Sequence, residues 1–422
     1  MSKKTEIIDA RARQIWDSRG RPTIEVELST RNCVGRGIAP AGASRGAGEA
    51  IELRDGSASS GVSQALKGFD AEIKASLIGL DCRNQSDLDS LMCELDGCPD
   101  KSRLGANTLI ATSIAVAQLA AECEGLPLWY QLAGSNTLTM PLPEVQIIGG
   151  GVHAAHRIEI QDLMVLPIGA ETWTEALDMS AAVYRSTGQL LADRQLLQGV
   201  ADEGGFWPNL PDNEAALELL TESIERAGFK PLDNMAISID VAGSQFFKGG
   251  CYVLNNETER CVSQAWVQRL AEWCNKFPVV MVEDPCAEQD LLGFKEFFQT
   301  YTQGLVVGDD LIVTNAMRIQ KAHEEQTISA VLVKPDQAGT LTEAHQALTE
   351  AGRLGMPVIV SARSGETEDT SIVDLAVGWQ APMIKIGSIT RGERTAKWNH
   401  GLRIAEQLTT AGQLPARAQF PW

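Results

Sequence analysis

The chain has 422 residues, and its 36 Lys and Arg against 55 Asp and Glu give a formal net charge of −19. A surface this acidic repels phosphate backbones and anionic lipid, which argues against nucleic-acid and membrane partners. The nine cysteines form no CxxC pair, and the N-terminus MSKKTEIIDA has no apolar signal core. We therefore expect a soluble cytoplasmic protein, long enough for two domains, with its thiols reduced.

The first part of the chain predicts a small mixed domain. The alternating segment IDARARQIWD and residues 23–30 flank Gly20-Arg21-Pro22, a pattern typical of a β-hairpin. Apolar residues recur at helical spacing over 107–123, which predicts a packed helix. The segment GSNTLTMPLP (134–143) is typical of a loop, so we place the boundary there. This gives an N-terminal α+β domain over 1–138 and a catalytic domain over 139–422.

The second part of the chain is regular from about residue 235. Short β-branched runs end in charged residues: AISIDVA, VVMVEDP, GLVVGDD, AVLVKPD, PVIVSARS and MIKIGS. Most of these runs recur at about 25 residues, the length of one strand, one helix and their loops. The apolar stripe over 341–355 is typical of such a helix. The pattern predicts an α/β fold, a (β/α)8-type barrel with a buried parallel sheet.

Polar residues stand at the carboxyl end of each of these runs. Because the carboxyl ends of barrel strands meet at one mouth, we expect them to lie together there. They are Asp240, Glu283, Asp309, Lys334, Arg363 and Lys385. Three carboxylates without clustered Cys or His favour magnesium, and the cations favour an anionic substrate. A network of structural salt bridges is the alternative.

Longer motifs carry a resemblance to a known family. They include DSRGRPTIEVEL, KSRLGAN, GGGVHA, DEGGFWPN, VEDPCAEQD, VGDDLIVTN, VKPDQAGTLTE and RSGETEDT. Over nearly its whole length the chain resembles the enolase family. The resemblance implies a barrel preceded by a smaller domain, two magnesium ions, the second arriving with the substrate, and a homodimer or higher homo-oligomer.

The resemblance also implies roles for the metal and proton-transfer residues. Asp240, Glu283 and Asp309 correspond to the ligands of the first magnesium, and Lys334 to the base that removes the C2 proton. Such a lysine must be neutral to act, and we expect nearby magnesium and Lys385 to favour that form. Metal ions beside a Lys base are the general pattern of enolase-superfamily sites.

The remaining roles belong to the leaving-group and phosphate side of the site. Glu203 of DEGG corresponds to the acid that assists departure of the 3-hydroxyl, Asp162 to its supporting carboxylate, and His153 to the mobile-loop histidine. The substrate-binding residues implied are Arg363 and Ser364 for the phosphate, Lys385 for the carboxylate, and Ser44, which also joins the second magnesium.

Several positions depart from the family pattern on this same side. QDLM places Asp162 where the family has glutamate, and SARSGE places Ala362 where it has histidine. The lid reads AGASRGAG, with Arg45 in place of threonine. Arg45 could offset the lost histidine by gripping the phosphate or carboxylate of the substrate.

Three functions are therefore open. The first is dehydration of 2-phosphoglycerate to phosphoenolpyruvate by a lyase. The second is the same enolisation on a phosphonate analogue, as in the enolase-like carboxyphosphonoenolpyruvate synthases, and the departures favour it. The third is a non-catalytic binding or scaffold protein. In the first two the partner is a small anionic phosphorylated or phosphonylated carboxylate.

Overall fold

The structure is a computed structural model and describes residues 4–43, 45–56, 61–254 and 259–422. Its N-terminal part begins with an antiparallel sheet of β1 (Asp9–Trp16), β2 (Pro22–Ser29) and β3 (Val34–Ile38). The register pairs Trp16 with Pro22 and Asp9 with Ser29. The predicted hairpin is confirmed.

Five α-helices pack against this sheet or beside it, and a π-helical segment, Phe69–Ile73, joins the first two. They are α1 (Ser63–Gly68), α2 (Lys74–Leu77), α3 (Gln85–Asp96), α4 (Ala106–Glu124) and α5 (Leu128–Ala133). The buried α4 confirms the helix predicted over 107–123. It lies so close to β3 that a Cβ at Gly37 would stand 2.2 Å from the backbone oxygen of Ala111. Glycine is therefore required where the helix crosses this strand.

The second part of the chain forms a closed barrel of eight strands. Their order is β4 (Leu142–Gly149), β5 (Asp162–Leu166), β8 (Ala236–Asp240), β12 (Val279–Glu283), β13 (Leu305–Gly308), β14 (Ala330–Val333), β15 (Val358–Ser361) and β16 (Met383–Ser388). Pairing of β16 with β4 closes it. The (β/α)8-type barrel with a smaller N-terminal domain is confirmed.

The expected fully parallel sheet is wrong at one strand, since β5 runs antiparallel to both β4 and β8. The connection from β4 to β5 covers residues 150–161 and holds only a short 3-10 helix, Gly151–Ala154. Without a crossover helix, the chain turns back instead of returning to a parallel start. The first residue of β5, Asp162, consequently pairs with the last residue of β8, Asp240, and lies at the mouth.

Helices and short strands surround the barrel. The helices are α6 (Trp173–Asp193), α7 (Asn213–Arg226), α8 (Ser263–Lys276), α9 (Leu291–Thr300), α10 (Ala316–Glu324), α11 (Pro335–Ala338), α12 (Leu341–Arg353), α13 (Ser371–Gly378) and α14 (Gly392–Ala405). The short strands are β6 (Leu197–Val200), β7 (Phe206–Pro208), β9 (Phe247–Lys248), β10 (Cys251–Leu254) and β11 (Glu259–Cys261). α12 confirms the predicted helix, and Thr340 caps it by accepting the Glu343 N–H at 3.2 Å.

Residues of the N-terminal part reach the barrel mouth. Ala41 forms a bridge with Gly365, and the buried Glu49 contacts Arg363. The division at 138/139 falls between α5 and β4 and stays a prediction. Among the helices that the structure describes, none combines the length and apolarity needed to cross a bilayer.

Candidate active site

Three predicted metal ligands lie at strand ends around the mouth. Asp240 and Glu283 are the last residues of β8 and β12 and are paired in register, and Asp309 directly follows β13. Each is at most 4% exposed. The fold thus brings residues that are up to 69 positions apart in the chain to one edge of the sheet.

Two lysines contact these carboxylates directly. Lys385 Nζ lies 2.6 Å from Glu283 Oε2 and 3.0 Å from Asp240 Oδ2. Lys334, which follows β14, forms an ion pair with Asp309 Oδ2. Lys385 was predicted to hold the substrate carboxylate; in this structure its ammonium supplies the positive charge for two of the predicted metal ligands.

The residues present fit a divalent cation. Glu283 Oε1 is buried and has no hydrogen-bond partner in the described part of the chain. Burial and the neighbouring Asp240 charge raise the pKa of Glu283 well above its ordinary range, so its ionised form needs more positive charge than the lysines supply. The donor set consists of hard carboxylate oxygens, which suit magnesium. Asp240, Glu283 and Asp309 stay the predicted ligands.

A compact acidic group at this mouth includes two residues that sequence reasoning missed. Each of Asp284, Asp309 and Asp310 has one carboxylate oxygen within 4.8 Å of those of the other two. Asp284 accepts the backbone N–H groups of Asp309 at 3.0 Å and Asp310 at 2.7 Å. We infer that Asp284 fixes the turn that presents Asp309. The sequence signal for these two residues is the second acidic residue of the VEDP motif and of the VGDD motif.

The protonation of Lys334 differs from the expectation. Burial lowers its pKa, and Arg363 and Lys385 lower it further, but the negative charges around it, of Asp309 above all and also of Glu283, together raise it above the ordinary value. The residues of the chain alone therefore favour the cationic form of Lys334. Its use as a base requires that Asp309 be engaged by another cation.

The predicted acid group also lies near Lys385. Ligand atoms of His153, Asp162 and Glu203 lie within 4.8 Å of one another, and all three residues are buried. Asp162 Oδ1 is 3.1 Å from His153 Nδ1, and Asp162 Oδ2 is 3.9 Å from Lys385 Nζ. The antiparallel start of β5 therefore places Asp162 between the histidine and the lysine.

Charge within this group favours distinct protonation states. Burial opposes a charged ring, but Asp162 raises the pKa of His153 to about 9. Burial likewise opposes a charged Asp162, yet His153 lowers its pKa to about 2. Burial and the Asp162 charge raise the pKa of Glu203. The geometry thus suits an ionised Asp162 and a Glu203 that holds its proton more strongly than an exposed glutamate.

Gln146 on β4 organises the same group and was missed. Its side-chain nitrogen donates to Asp162 Oδ1, and its oxygen accepts the Gly205 N–H at 2.7 Å. It therefore joins β5 to the DEGG turn that carries Glu203. The signal in the sequence is a polar residue in the mostly apolar run LPEVQIIG, which also contains Glu144.

Arg363, which the resemblance predicts as a phosphate-binding residue, contacts two carboxylates. Its Nη1 donates to Asp336 Oδ2 at 2.8 Å and its Nη2 to Glu49 Oε2 at 3.1 Å. Ser364 is buried beside it, and its hydroxyl has no hydrogen-bond partner among the residues described. Asp336 and Glu49 were not predicted as site residues.

A buried guanidinium fixes the backbone of this segment. Arg394 on α14 donates to the carbonyl oxygen of Arg363 at 2.7 Å and to that of Ser364 at 2.5 Å. Its side chain is fully buried. Through these two hydrogen bonds Arg394 holds the backbone of both residues that are predicted to bind the phosphate.

The lid segment is described only in part. Ser44 lies outside the described residues. Arg45 donates to the Ala50 carbonyl at 2.9 Å, and its Nε stands 3.6 Å from Glu49 Oε2. The guanidinium thus contacts its own loop, and the suggested grip of Arg45 on a substrate stays a prediction.

Comparison with family profiles agrees with this architecture over both parts of the chain. The profile described as Enolase, N-terminal domain, matches residues 7–132, and that described as Enolase, C-terminal TIM barrel domain, matches residues 137–420. Together they support a lyase of the enolase superfamily. The chain belongs to the enolase family.

Proposed function

We propose that this protein is a magnesium-dependent lyase that converts 2-phosphoglycerate to phosphoenolpyruvate and water, beginning with removal of the C2 proton. The observation that supports this most strongly is the position of Lys385. Its Nζ lies 2.6 Å from Glu283 on the metal side and 3.9 Å from Asp162 on the acid side. A small substrate at this mouth would meet both the base and the acid.

Lys334 is the proposed base. In its neutral form its nitrogen takes the C2 proton, and the C–H electron pair moves toward the adjacent carboxylate. Lys385 would bind that carboxylate and stabilise its second negative charge. When bound by Asp240, Glu283 and Asp309, magnesium would add positive charge there and engage Asp309, which favours neutral Lys334.

Glu203 is the proposed acid. As the C3–O bond breaks, its proton passes to the departing hydroxyl, and water leaves. The raised pKa of Glu203 keeps that proton available at higher pH than an exposed glutamate would. Asp162 and His153 act through Glu203 and are proposed as positioning residues.

The test is product formation from 2-phosphoglycerate with magnesium. Lys334→Ala should lower kcat by about 10²–10⁴-fold, the usual contribution of a general base. Lys321→Ala is the matched control, since Lys321 is exposed on α10 and pairs only loosely with Glu325 at 3.8 Å. Equal rates for both variants would contradict the proposal. No turnover and no magnesium binding by the native protein would favour a non-catalytic binding or scaffold role.

A second candidate is the same enolisation on a phosphonate analogue. It is supported by Asp162 and Ala362 at positions where the family has glutamate and histidine, and by the carboxylates on Arg363. By the resemblance, all of these belong to the phosphate and leaving-group side. Magnesium-dependent binding of such an analogue, without turnover of 2-phosphoglycerate, would favour this candidate. We also propose a homodimer or higher homo-oligomer, on the family resemblance.

A further inference from the structure

The guanidinium of Arg363 is already matched by negative charge. Asp336 Oδ2 lies 2.8 Å from its Nη1, and Glu49 Oε2 lies 3.1 Å from its Nη2. All three residues are buried: Asp336 is 8% exposed, Glu49 6% and Arg363 3%. Water therefore screens these charges little, and each carboxylate acts at close to its full strength.

Such a pair of carboxylates changes what Arg363 can bind. An arginine without partners would accept a phosphate dianion through two charge-assisted hydrogen bonds. Here the same dianion would stand within a few ångströms of two buried carboxylates, and like charges in a poorly screened site repel strongly. The arrangement therefore disfavours each added negative charge on the substrate group that Arg363 would bind.

The second oxygen of Asp336 points to the kind of group that fits. Asp336 Oδ1 is buried and accepts no hydrogen bond within the described ranges. A singly charged phosphonyl, phosphinyl or esterified phosphoryl group carries less charge, and one with an O–H could also donate to this oxygen. Asp336 and Ala362 line one cavity of about 30 Å³, which leaves a small amount of space beside them.

We propose that Asp336 is a specificity-determining residue that makes Arg363 prefer a singly charged phosphorus group over a phosphate dianion. The proposal rests on the enolisation proposed above and narrows the substrate of that same site toward the second candidate, a phosphonate-type substrate, and away from the phosphate dianion of 2-phosphoglycerate. Glu49 contributes charge in the same direction, but it also accepts the Gly46 N–H and the Gln337 amide. Asp336 is therefore the cleaner position for a test.

The experiment measures binding of two probes with magnesium at pH 8, above the pKa of about 7 to which burial raises Asp336. The probes are 2-phosphoglycerate, a dianion at its phosphate, and the monomethyl ester of that phosphate, a monoanion. Asp336→Asn removes the charge and keeps the shape. We expect it to tighten binding of 2-phosphoglycerate about tenfold and binding of the ester only about threefold, because the repulsion is proportional to the charge of the phosphorus group. Because each probe is compared between the variant and the native protein, any steric effect of the methyl group cancels.

Asp369→Asn is the matched control, because Asp369 lines the same cavity and its carboxylate accepts the Ser371 N–H instead. It should leave the ratio of the two affinities unchanged, and Asp336→Ser should reproduce the effect of Asp336→Asn. An unchanged or weakened affinity for 2-phosphoglycerate in both Asp336 variants would overturn the inference, as would failure of the native protein to bind either probe. Product formation that depends on Lys334 reports separately on the proposed function.

Discussion

Replacement of Glu144 by glutamine should stabilise the protein at alkaline pH and leave it unchanged at acid pH. Glu144 lies on β4, beside Lys385 in register, and is fully buried. Neither of its carboxylate oxygens has a hydrogen-bond partner in the structure as described. Glutamine has nearly the same shape as a protonated glutamic acid, so the variant isolates the effect of the charge.

The magnitude follows from the environment of the carboxyl group. Burial raises the pKa of Glu144 from its ordinary value of 4.5 to about 7, and the nearby Lys385 offsets this only in part. The folded state therefore binds the proton more tightly than the unfolded state. This stabilising contribution is fully present below pH 4.5 and is lost as the pH rises to 7. At pH 8 the ionised group costs about 3 kcal/mol.

The assay is urea unfolding at pH 4.5, 6, 7 and 8. Glu144→Gln should match the native protein at pH 4.5 and exceed its free energy of unfolding by up to about 3 kcal/mol at pH 8. Glu94→Gln, at an exposed position on α3, serves as control and should show no such trend. A Glu144→Gln protein that is less stable than native at pH 8 would refute the reasoning, because it would show that Lys385 fully compensates the Glu144 charge.

Three further perturbations have defined outcomes. If the native site suits another substrate, the double change Asp162→Glu with Ala362→His should raise turnover of 2-phosphoglycerate by about tenfold or more. The reason is that misplacement of a catalytic group by about 1 Å can cost about 100-fold in rate. Lower steady-state turnover would argue that the native geometry already suits 2-phosphoglycerate. Chelation by EDTA should abolish turnover and added magnesium should restore it, whereas full activity in the chelator would contradict the proposed metal. Gly37→Ala should lower the free energy of unfolding by about 1–3 kcal/mol or more, and with it the melting temperature, because the new Cβ would stand 2.2 Å from the Ala111 backbone oxygen. An unchanged melting temperature would show that α4 can move away.

Strand-end residues were the most predictable part of the molecule. The β-branched runs and their terminal charges predict both the barrel and the gathering of Asp240, Glu283 and Asp309 at its mouth. The prediction works because parallel strands must bring their carboxyl ends to one edge. It fails at β5, where the direction depends on the short 150–161 connection, which the repeat pattern does not include.

Contacts between side chains could not be predicted in the same way. Nothing in the spacing of Lys385 shows that its ammonium reaches both Glu283 and Asp240, because that depends on how far apart the strands hold them. Asp336 gives even less signal, since it follows Lys334 and Pro335 at the start of a short helix and reads as a loop residue. Only its distance to Arg363 shows its relation to the site.

The most direct test of the account is exchange of the C2 hydrogen of 2-phosphoglycerate with deuterium oxide, followed by NMR with magnesium present. Exchange reports proton abstraction alone, before the C3–O bond breaks. We predict exchange with the native protein and with Glu203→Gln, and its loss in Lys334→Ala. Exchange that persists in Lys334→Ala at the native rate would contradict the assignment of Lys334 as the base.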